Sequence, residues 1–356
     1  MDDSLPASAE MTRSVLRCGI VGCGYIANIY MEALRGISGV SVTGICDVDT
    51  ERLAAFGAKH GVSRRFTQIK QLLATGSQDF LIIATPPSLH YSLCRTALDY
   101  GVALLVEKPV TMSLGEAREI ADRAVERGVP VWVAQNYRFK DIVLLAQQAI
   151  EAGALGALRR VDCVYHGGSP LADTAPWKRE EIKNRLLLYD RAEHFLDLMV
   201  VFAGPVKSVL GTHVARHSDV ESTLGVHALI EHRSGVVGSI DLQLFSGGES
   251  ARVELHGSQE RIVLKFYPEG CARYRGPITP VHEMLIEAVR LGDFVWKNIR
   301  ERLAPHGVTR RALSHNRLMR KYVEFLRGED DRCPVSVEDV LPTMELLDRL
   351  AVVVYH

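Results

Sequence analysis

VLRCGIVGCGYIA, residues 15–27, is the stretch from which the architecture can be read. Up to Val21 it is almost continuously apolar, as a parallel strand buried on both faces requires. Gly22, Gly24 and Ala27 follow in the spacing of the dinucleotide fingerprint, with alanine in the third small position. The first glycine permits a tight turn, the second lets backbone come close to a pyrophosphate, and the third small residue lets helix pack on strand. Tyr25 and Ile26 open the helix, whose unpaired N–H groups and positive dipole end suit phosphates. The turn also has an acidic partner, Asp47, at the end of the next strand and twenty-five positions beyond Gly22. A carboxylate there accepts hydrogen bonds from ribose hydroxyls and repels a 2′-phosphate, so the expected cofactor is NAD rather than NADP. Asp49 reads as the N-cap of the following helix.

Outward from this turn the alternation continues. VSVTGICD (residues 40–47), FLIIAT (80–85), VALLVEKP (102–109) and VPVWVAQ (129–135) read as strands, with helices over 50–60, from Pro86-Pro87 to about Tyr100, and over 113–127. Such alternation describes an α/β Rossmann fold, a doubly wound parallel sheet, over residues 15–136. Residues 1–14 are acidic and polar where a signal peptide is basic and then apolar, and read as a disordered leader on a chain that is not exported. After Asn136 one helix (141–152) is followed by strand-like segments over 158–165, 206–214, 223–232, 236–245, 251–256 and 261–266. His232-Arg233-Ser234-Gly235 carries a hairpin signal. Residues 137–356 are therefore expected to form a C-terminal α+β domain with a largely antiparallel open sheet. Its last helix, 337–354, has apolar residues at helical spacing to cover one face or pack back on the core.

A chain of 356 residues exceeds what one core usually serves, in keeping with two domains. Lys and Arg number 42 and Asp and Glu 43, so the net charge of -1 offers no general attraction to nucleic acid or anionic membrane. No apolar run is long enough to span a bilayer. The seven cysteines show no CxxC or Cys/His spacing and read as small buried hydrophobes in a reducing cytoplasm. His213, His217, His227 and His232 have no metal spacing, and no metal site is expected. Residues 290–327 hold ten Lys and Arg against three acids. They read first as solvated basic helices with Trp296, Leu303, Leu313, Leu318, Tyr322 and Phe325 inward, and second as a site for an anionic group such as a nucleotide-sugar phosphate.

Two further features carry chemistry. Lys108 follows a strand at the edge where open α/β sheets place their ligands. A lysine there can hydrogen-bond a substrate hydroxyl and stabilise a growing oxyanion, although position alone also allows a snorkelling surface lysine. The isomer of the Lys108–Pro109 bond is left open by the sequence. Asp190 and His194 are spaced to share one face of a helix, which Asp197 extends. A carboxylate beside imidazole suits a group that takes and returns a hydroxyl proton. On spacing alone, a solvated ion pair on an amphipathic helix is the stronger reading.

The chain resembles the Gfo/Idh/MocA oxidoreductases, the family of glucose-fructose oxidoreductase and inositol dehydrogenase, over nearly its whole length from Leu16. The resemblance rests on GIVGCGYIA, ICDVDTERLAAFGAKHG, ATPPSLH (84–90), the Glu107-Lys108-Pro109 triplet, QNYRF (135–139) and Asp190-x-x-x-His194-x-x-Asp197. It implies that Thr85, Pro86, His90, Glu107 and Lys108 border the cofactor, that His194 is the general acid/base, and that Lys108 and Asp190 assist it. It also implies that Trp177 and Lys178 border a sugar site, with Arg138 and His166 as polar liners. Tyr189 is a further candidate for substrate contact, although in an apolar run it reads more readily as packed. Larger residues, Leu186 to Tyr189 and Ala192, stand where the family has a glycine-rich approach and a glycine, which bears on the shape of the substrate pocket.

The implied function is an NAD-dependent oxidoreductase acting on a secondary hydroxyl of a sugar, inositol or sugar derivative. Lys108 from one domain would meet Asp190 and His194 from the other, and the C-terminal domain would bind substrate and build a homodimer or homotetramer through its open sheet face. Two alternatives are elimination or hydrolysis of a glycoside by transient oxidation, and a regulator that binds NAD without turnover.

Overall fold

The computed structural model describes residues 15–167, 187–217, 220–243, 249–276 and 310–355. The expected leader lies outside the described residues, as do Trp177, Lys178, Trp296 and Leu303. The chain divides into two units, Met1–Phe139 with Val308–Leu341, and Lys140–Gly307 with Pro342–His356.

In the first unit β1 (Leu16–Val21) leads through α1 (Tyr25–Arg35), β2 (Val40–Cys46), α2 (Thr50–His60), β3 (Arg65–Phe66) and α3 (Ile69–Leu73) to β4 (Phe80–Ile83). It continues as α4 (His90–Asp99), β5 (Ala103–Val106), α5 (Leu114–Arg127) and β6 (Val131–Val133). The strands pair in parallel in the order β3-β2-β1-β4-β5-β6. This is the Rossmann order, which reverses between β1 and β4 and opens a crevice there. Every residue of β4 and β5 is buried, as strands covered on both faces demand. Asp49 caps α2 as its position predicts, Oδ1 accepting from the backbone N–H groups of Glu51 and Arg52. β3 and α3, of two and five residues, are shorter than any window in which periodicity shows.

The assignment of everything after Asn136 to a second domain does not hold for α8 (Arg310–Leu326). Its Leu318, Met319, Tyr322 and Val323 share one core with Ile20, Phe80 and Trp132. The Trp132 ring meets Tyr322 and Phe325 edge to face, with centroids 3.8 and 4.6 Å apart. Full burial of such side chains contributes about 1.5–3 kcal/mol each, so this helix is a structural member of the dinucleotide-type domain. The expected inward face holds for Leu318, Tyr322 and Phe325, whereas Leu313 is exposed.

The second unit contains α6 (Asp141–Glu151), β7 (Leu158–His166), α7 (Glu193–Ala203), β8 (Val206–His217), β9 (Val220–His232), β10 (Val237–Gln243), β11 (Ser250–Gly257), β12 (Glu260–Phe266) and β13 (Glu269–Arg275). A last helix, α9 (Val337–Tyr355), starts in the first unit and continues in the second. Among the described residues the sheet order is β13-β12-β11-β7-β10-β9-β8. Neighbours are antiparallel except β7 and β10, which run parallel because the connection between them is long enough for a crossover. The expected hairpin is present between β9 and β10, with Gly235 at φ +83°.

α7 packs on one face of this sheet. Cys163 Sγ approaches Phe195 O at 3.3 Å, Tyr165 stacks on Phe195, and Phe195 meets Phe266 edge to face. Cys163 and Tyr165 therefore point toward α7, and the alternate residues Asp162 and His166 point away. Among the described residues no helix is long and apolar enough to cross a membrane. All seven cysteines are free thiols, five of them buried.

Candidate active site

The glycine turn is shaped by contact and by openness. Gly22 has φ +93°, and a Cβ built on it would stand 2.5 Å from Ala84 O, so only glycine fits. Around Gly24 nothing lies within 4 Å of that position, so the backbone is bare where α1 begins. No side chain caps α1 and its first turn carries no acid, leaving a positive end suited to an anion. Ala27 is fully buried and brings α1 close to the sheet.

Asp47 is buried and ties this turn to β2. Its Oδ2 accepts from Cys23 N–H at 2.7 Å and its Oδ1 from Asp49 N–H at 2.9 Å. Arg52, which the sequence did not single out, places Nη1 3.8 Å from Asp47 Oδ2 and Nη2 3.1 Å from Asp49 Oδ2. Burial first, and then the Asp47 charge, push the Cys23 thiol up to about 12, so it stays a neutral packing group.

At the end of β4, Thr85 Oγ1 is buried without a hydrogen-bond partner, and Thr85 Cγ2 lies 3.0 Å from where a Gly22 Cβ would be. A buried orphan hydroxyl at the strand-order reversal is the atom a bound dinucleotide would satisfy. With the bare turn and the Asp47 carboxylate, the residues present fit NAD.

His90 and Glu107 are placed differently from the expectation that they border the cofactor. His90 is fully buried, with Nδ1 2.8 Å from Pro109 O and Nε2 2.9 Å from Thr85 O. It therefore pins the loop after β4 to the segment after β5 and exposes no atom to a ligand. Burial pushes its imidazole below the usual histidine range, partly offset by the two carbonyls. Glu107 accepts from Tyr30 Oη at 2.5 Å and from Lys108 N–H at 3.1 Å, so its carboxylate fixes the sheet edge from which Lys108 projects. Lys108 is half-buried, and its peptide bond to Pro109 is cis.

In the second unit the expected helical face does not form as one. Leu187–Ala192 is a π-helical turn, so Asp190 lies in that turn while His194 sits in the first turn of α7. Such turns recur at functional sites because they re-aim side chains. Asp197 is fully buried and accepts from Thr343 Oγ1 at 2.9 Å, so it serves the core rather than the site. Glu193, also missed, is 1% exposed and brings Oε2 to 3.7 Å from His194 Nδ1, the His194 side chain being 14% exposed. A lone acid inside the apolar run from Tyr189 to Ala203 was the available signal for it.

The substrate liners separate. Tyr189 is buried and donates to Asp348 Oδ1 at 3.1 Å, which makes it a packed residue rather than a substrate contact. His166 pairs with Asp241 Oδ2 at 3.1 Å on the sheet face turned away from α7, so it does not line a site beside His194. Arg138 Nη2 approaches Asp339 O at 3.4 Å within the first unit. Among the described residues no three His, Cys, Asp or Glu side chains group in a way that could hold a metal ion.

Both units resemble known proteins. Residues 16–135 match the oxidoreductase family with an NAD-binding Rossmann fold, and residues 143–263 match the GFO/IDH/MocA C-terminal domain. These matches cover well over half of the chain, and the protein belongs to the Gfo/Idh/MocA oxidoreductase family. The D-apiose dehydrogenase of Paraburkholderia graminis is 29% identical over 229 residues, 62% of this chain and 59% of the relative, so less than two thirds of that relative is spanned. The inositol 2-dehydrogenase of Leifsonia xyli is 28% identical over 234 residues, 64% of this chain and 66% of the relative. Among solved structures, the WlbA dehydrogenase of Bordetella pertussis, in complex with NADH and UDP-GlcNAcA, superposes with a TM-score of 0.77 at 22% identity, covering 96% of this chain and 95% of the other.

Proposed function

We propose that the protein is an NAD-dependent dehydrogenase acting on a secondary hydroxyl, or in reverse a ketone, of a sugar, polyol or nucleotide sugar in the cytoplasm. The observation that carries this reading is the order β2-β1-β4-β5 at one sheet edge. A dinucleotide bound at such a reversal meets the acid that ends β2, here Asp47, with its adenosine ribose and the residues that end β4 and β5, here Thr85 and Lys108, with its reactive ring, which supports these roles. NAD, when bound, supplies the hydride acceptor.

His194 takes the hydroxyl proton as the C–H bond breaks with its electron pair, and Lys108 hydrogen-bonds the same oxygen and stabilises the negative charge that grows on it. Asp190 assists as a carboxylate of the same segment. The substrate class is supported by the relatives, two of them named for D-apiose and inositol, and by the WlbA dehydrogenase solved in complex with UDP-GlcNAcA. The free cysteines support a reducing compartment. A homodimer or homotetramer is part of the same proposal, built on family membership.

The test is NADH formation over a panel of aldoses, D-apiose, inositols and nucleotide sugars, followed by Lys108→Met and His194→Asn on the substrate found. Each variant is expected to lose about 10²–10⁴-fold in kcat while NAD binding is retained. Full activity in both variants refutes the assignment. Product without stoichiometric NADH identifies transient oxidation instead.

A further inference from the structure

Tyr30 lies on the inner face of α1 and is fully buried, and Glu107, which follows β5, is 9% exposed. A hydroxyl and a carboxylate taken out of water in this way need partners, and they find each other. Tyr30 Oη donates to Glu107 Oε1 at 2.5 Å, while Oε2 of the same carboxylate accepts from Lys108 N–H at 3.1 Å. The backbone of Glu107 is already registered on β4, its N–H donating to Ile83 O at 2.9 Å. The carboxylate therefore links the peptide group that leads into Lys108 to the helix that starts at the bare glycine turn.

The phenol is itself held from a second side. Its ring meets His315 of α8 edge to face with centroids 5.9 Å apart, and His315 Nδ1 lies 3.4 Å from Asn136 Nδ2, which donates to Ser314 Oγ at 3.2 Å. Burial first, and then the Glu107 charge and hydrogen bond, push the phenol well above its usual range, so it remains a neutral donor. A close-packed ring has little freedom to turn, and a hydrogen bond to a charged acceptor is about twice as strong as a neutral one.

We propose that Tyr30 is a positioning residue for Lys108, acting through the Glu107 carboxylate. The phenol holds Oε1, so that Oε2 holds the Lys108 N–H and with it the direction in which the Lys108 side chain leaves the sheet edge. The inference rests on the reading that Lys108 stabilises the substrate oxygen. A growing oxyanion is served by a donor already aimed at it, and a misplacement of about 1 Å can cost about 10²-fold in rate.

The test is amide hydrogen exchange on the full-length chain, read by ¹⁵N NMR at Lys108 and, as the reference, at the amides of α1. In Tyr30→Phe, which keeps the ring and removes the donor, the Lys108 amide is expected to exchange about tenfold faster or more relative to the α1 amides. In Glu107→Ala the same amide is expected to quicken at least as much, and adding Tyr30→Phe should change nothing further, because the tyrosine acts through the carboxylate. If Tyr30→Phe does not fold, Tyr30→4-fluorophenylalanine, which fills the place of the hydroxyl without donating, is read by the same criterion. A merely structural tyrosine would quicken Lys108 and α1 by the same factor. That outcome, an unchanged Lys108 amide, or a double variant in which the two effects add overturns the proposal. On the substrate of the panel that forms NADH, Tyr30→Phe is expected to lower kcat about tenfold, with KM and the NADH dissociation constant held within about threefold. If Lys108→Met retains turnover, the dehydrogenase reading and this inference fall together. If it loses turnover while Tyr30→Phe keeps full kcat, only the role of Tyr30 is refuted.

Discussion

Replacing Asp47 with serine tests the cofactor choice most directly. The carboxylate is buried at 7% exposure and accepts two backbone N–H bonds, from Cys23 and Asp49. Its remaining lone pairs are those a ribose would use. A hydrogen bond to a charged acceptor is worth about 1.5–3 kcal/mol, so losing it weakens NAD binding by roughly 10- to 150-fold. The same change removes the charge that repels a 2′-phosphate and relieves Arg52 of its 3.8 Å contact with Asp47 Oδ2, while its 3.1 Å pair with Asp49 Oδ2 stays. The Nη1 released from Asp47 meets phosphate with a charge-assisted bond, so NADPH affinity rises as NADH affinity falls. The NADH/NADPH preference should therefore change by about 10²-fold or more when both are titrated by nicotinamide fluorescence. Adding Arg52→Ala should reverse the gain for NADPH but not the loss for NADH. A preference unchanged within about threefold would refute both the ribose role of Asp47 and the part given to Arg52.

The two glycines should separate fold from ligand. Gly22→Ala forces a clash with Ala84 O and a strained φ, so it should lower the thermal midpoint and NAD affinity together, whereas Gly24→Ala meets open space and should weaken NAD binding with the midpoint kept. Tyr322 Oη is buried without a partner, so Tyr322→Phe should be neutral or stabilising by up to about 1 kcal/mol, while Tyr322→Ala should cost about 3–5 kcal/mol in urea unfolding. Burial lowers the proton affinity of both His90 and His232. The unfolded chain therefore binds protons that the folded chain refuses, and stability should fall as the pH drops through about 6.5, by up to about 1.4 kcal/mol per pH unit for each ring. A urea midpoint that holds from pH 8 to 5.5 would contradict this.

Much of the first unit is legible because its strands are buried on both faces and its glycines have one use. The run from Leu16 to Ala27, the Asp49 cap and the strand ending at Val106 each follow from local chemistry. What the sequence could not show was partnership. The helical period of Leu318 and Tyr322 identifies an inward face but not the sheet that it covers. His90 lies in a recognisable motif, but only the fold shows that both its nitrogens lie against carbonyls, to one of which the neutral ring can donate. The i, i+4 spacing of Asp190 and His194 assumes a regular α-helix, and the π-helical turn breaks that assumption. Glu193 was passed over because one acid in an apolar run resembles a solvated position until its burial is known.

The place of α8 in the first core has a consequence for how the chain is made. A ribosome releases residues in order at about 5–20 per second, so a nascent domain can close only when its last element has emerged. Trp132 and Phe80 appear early, but Tyr322, which covers both, comes almost at the end of the chain. The apolar face of the nucleotide half must then wait on the order of ten seconds or more for its lid. During that interval it is a natural client for a holding chaperone, and a fragment cut near Asn136 would carry the same bare face permanently.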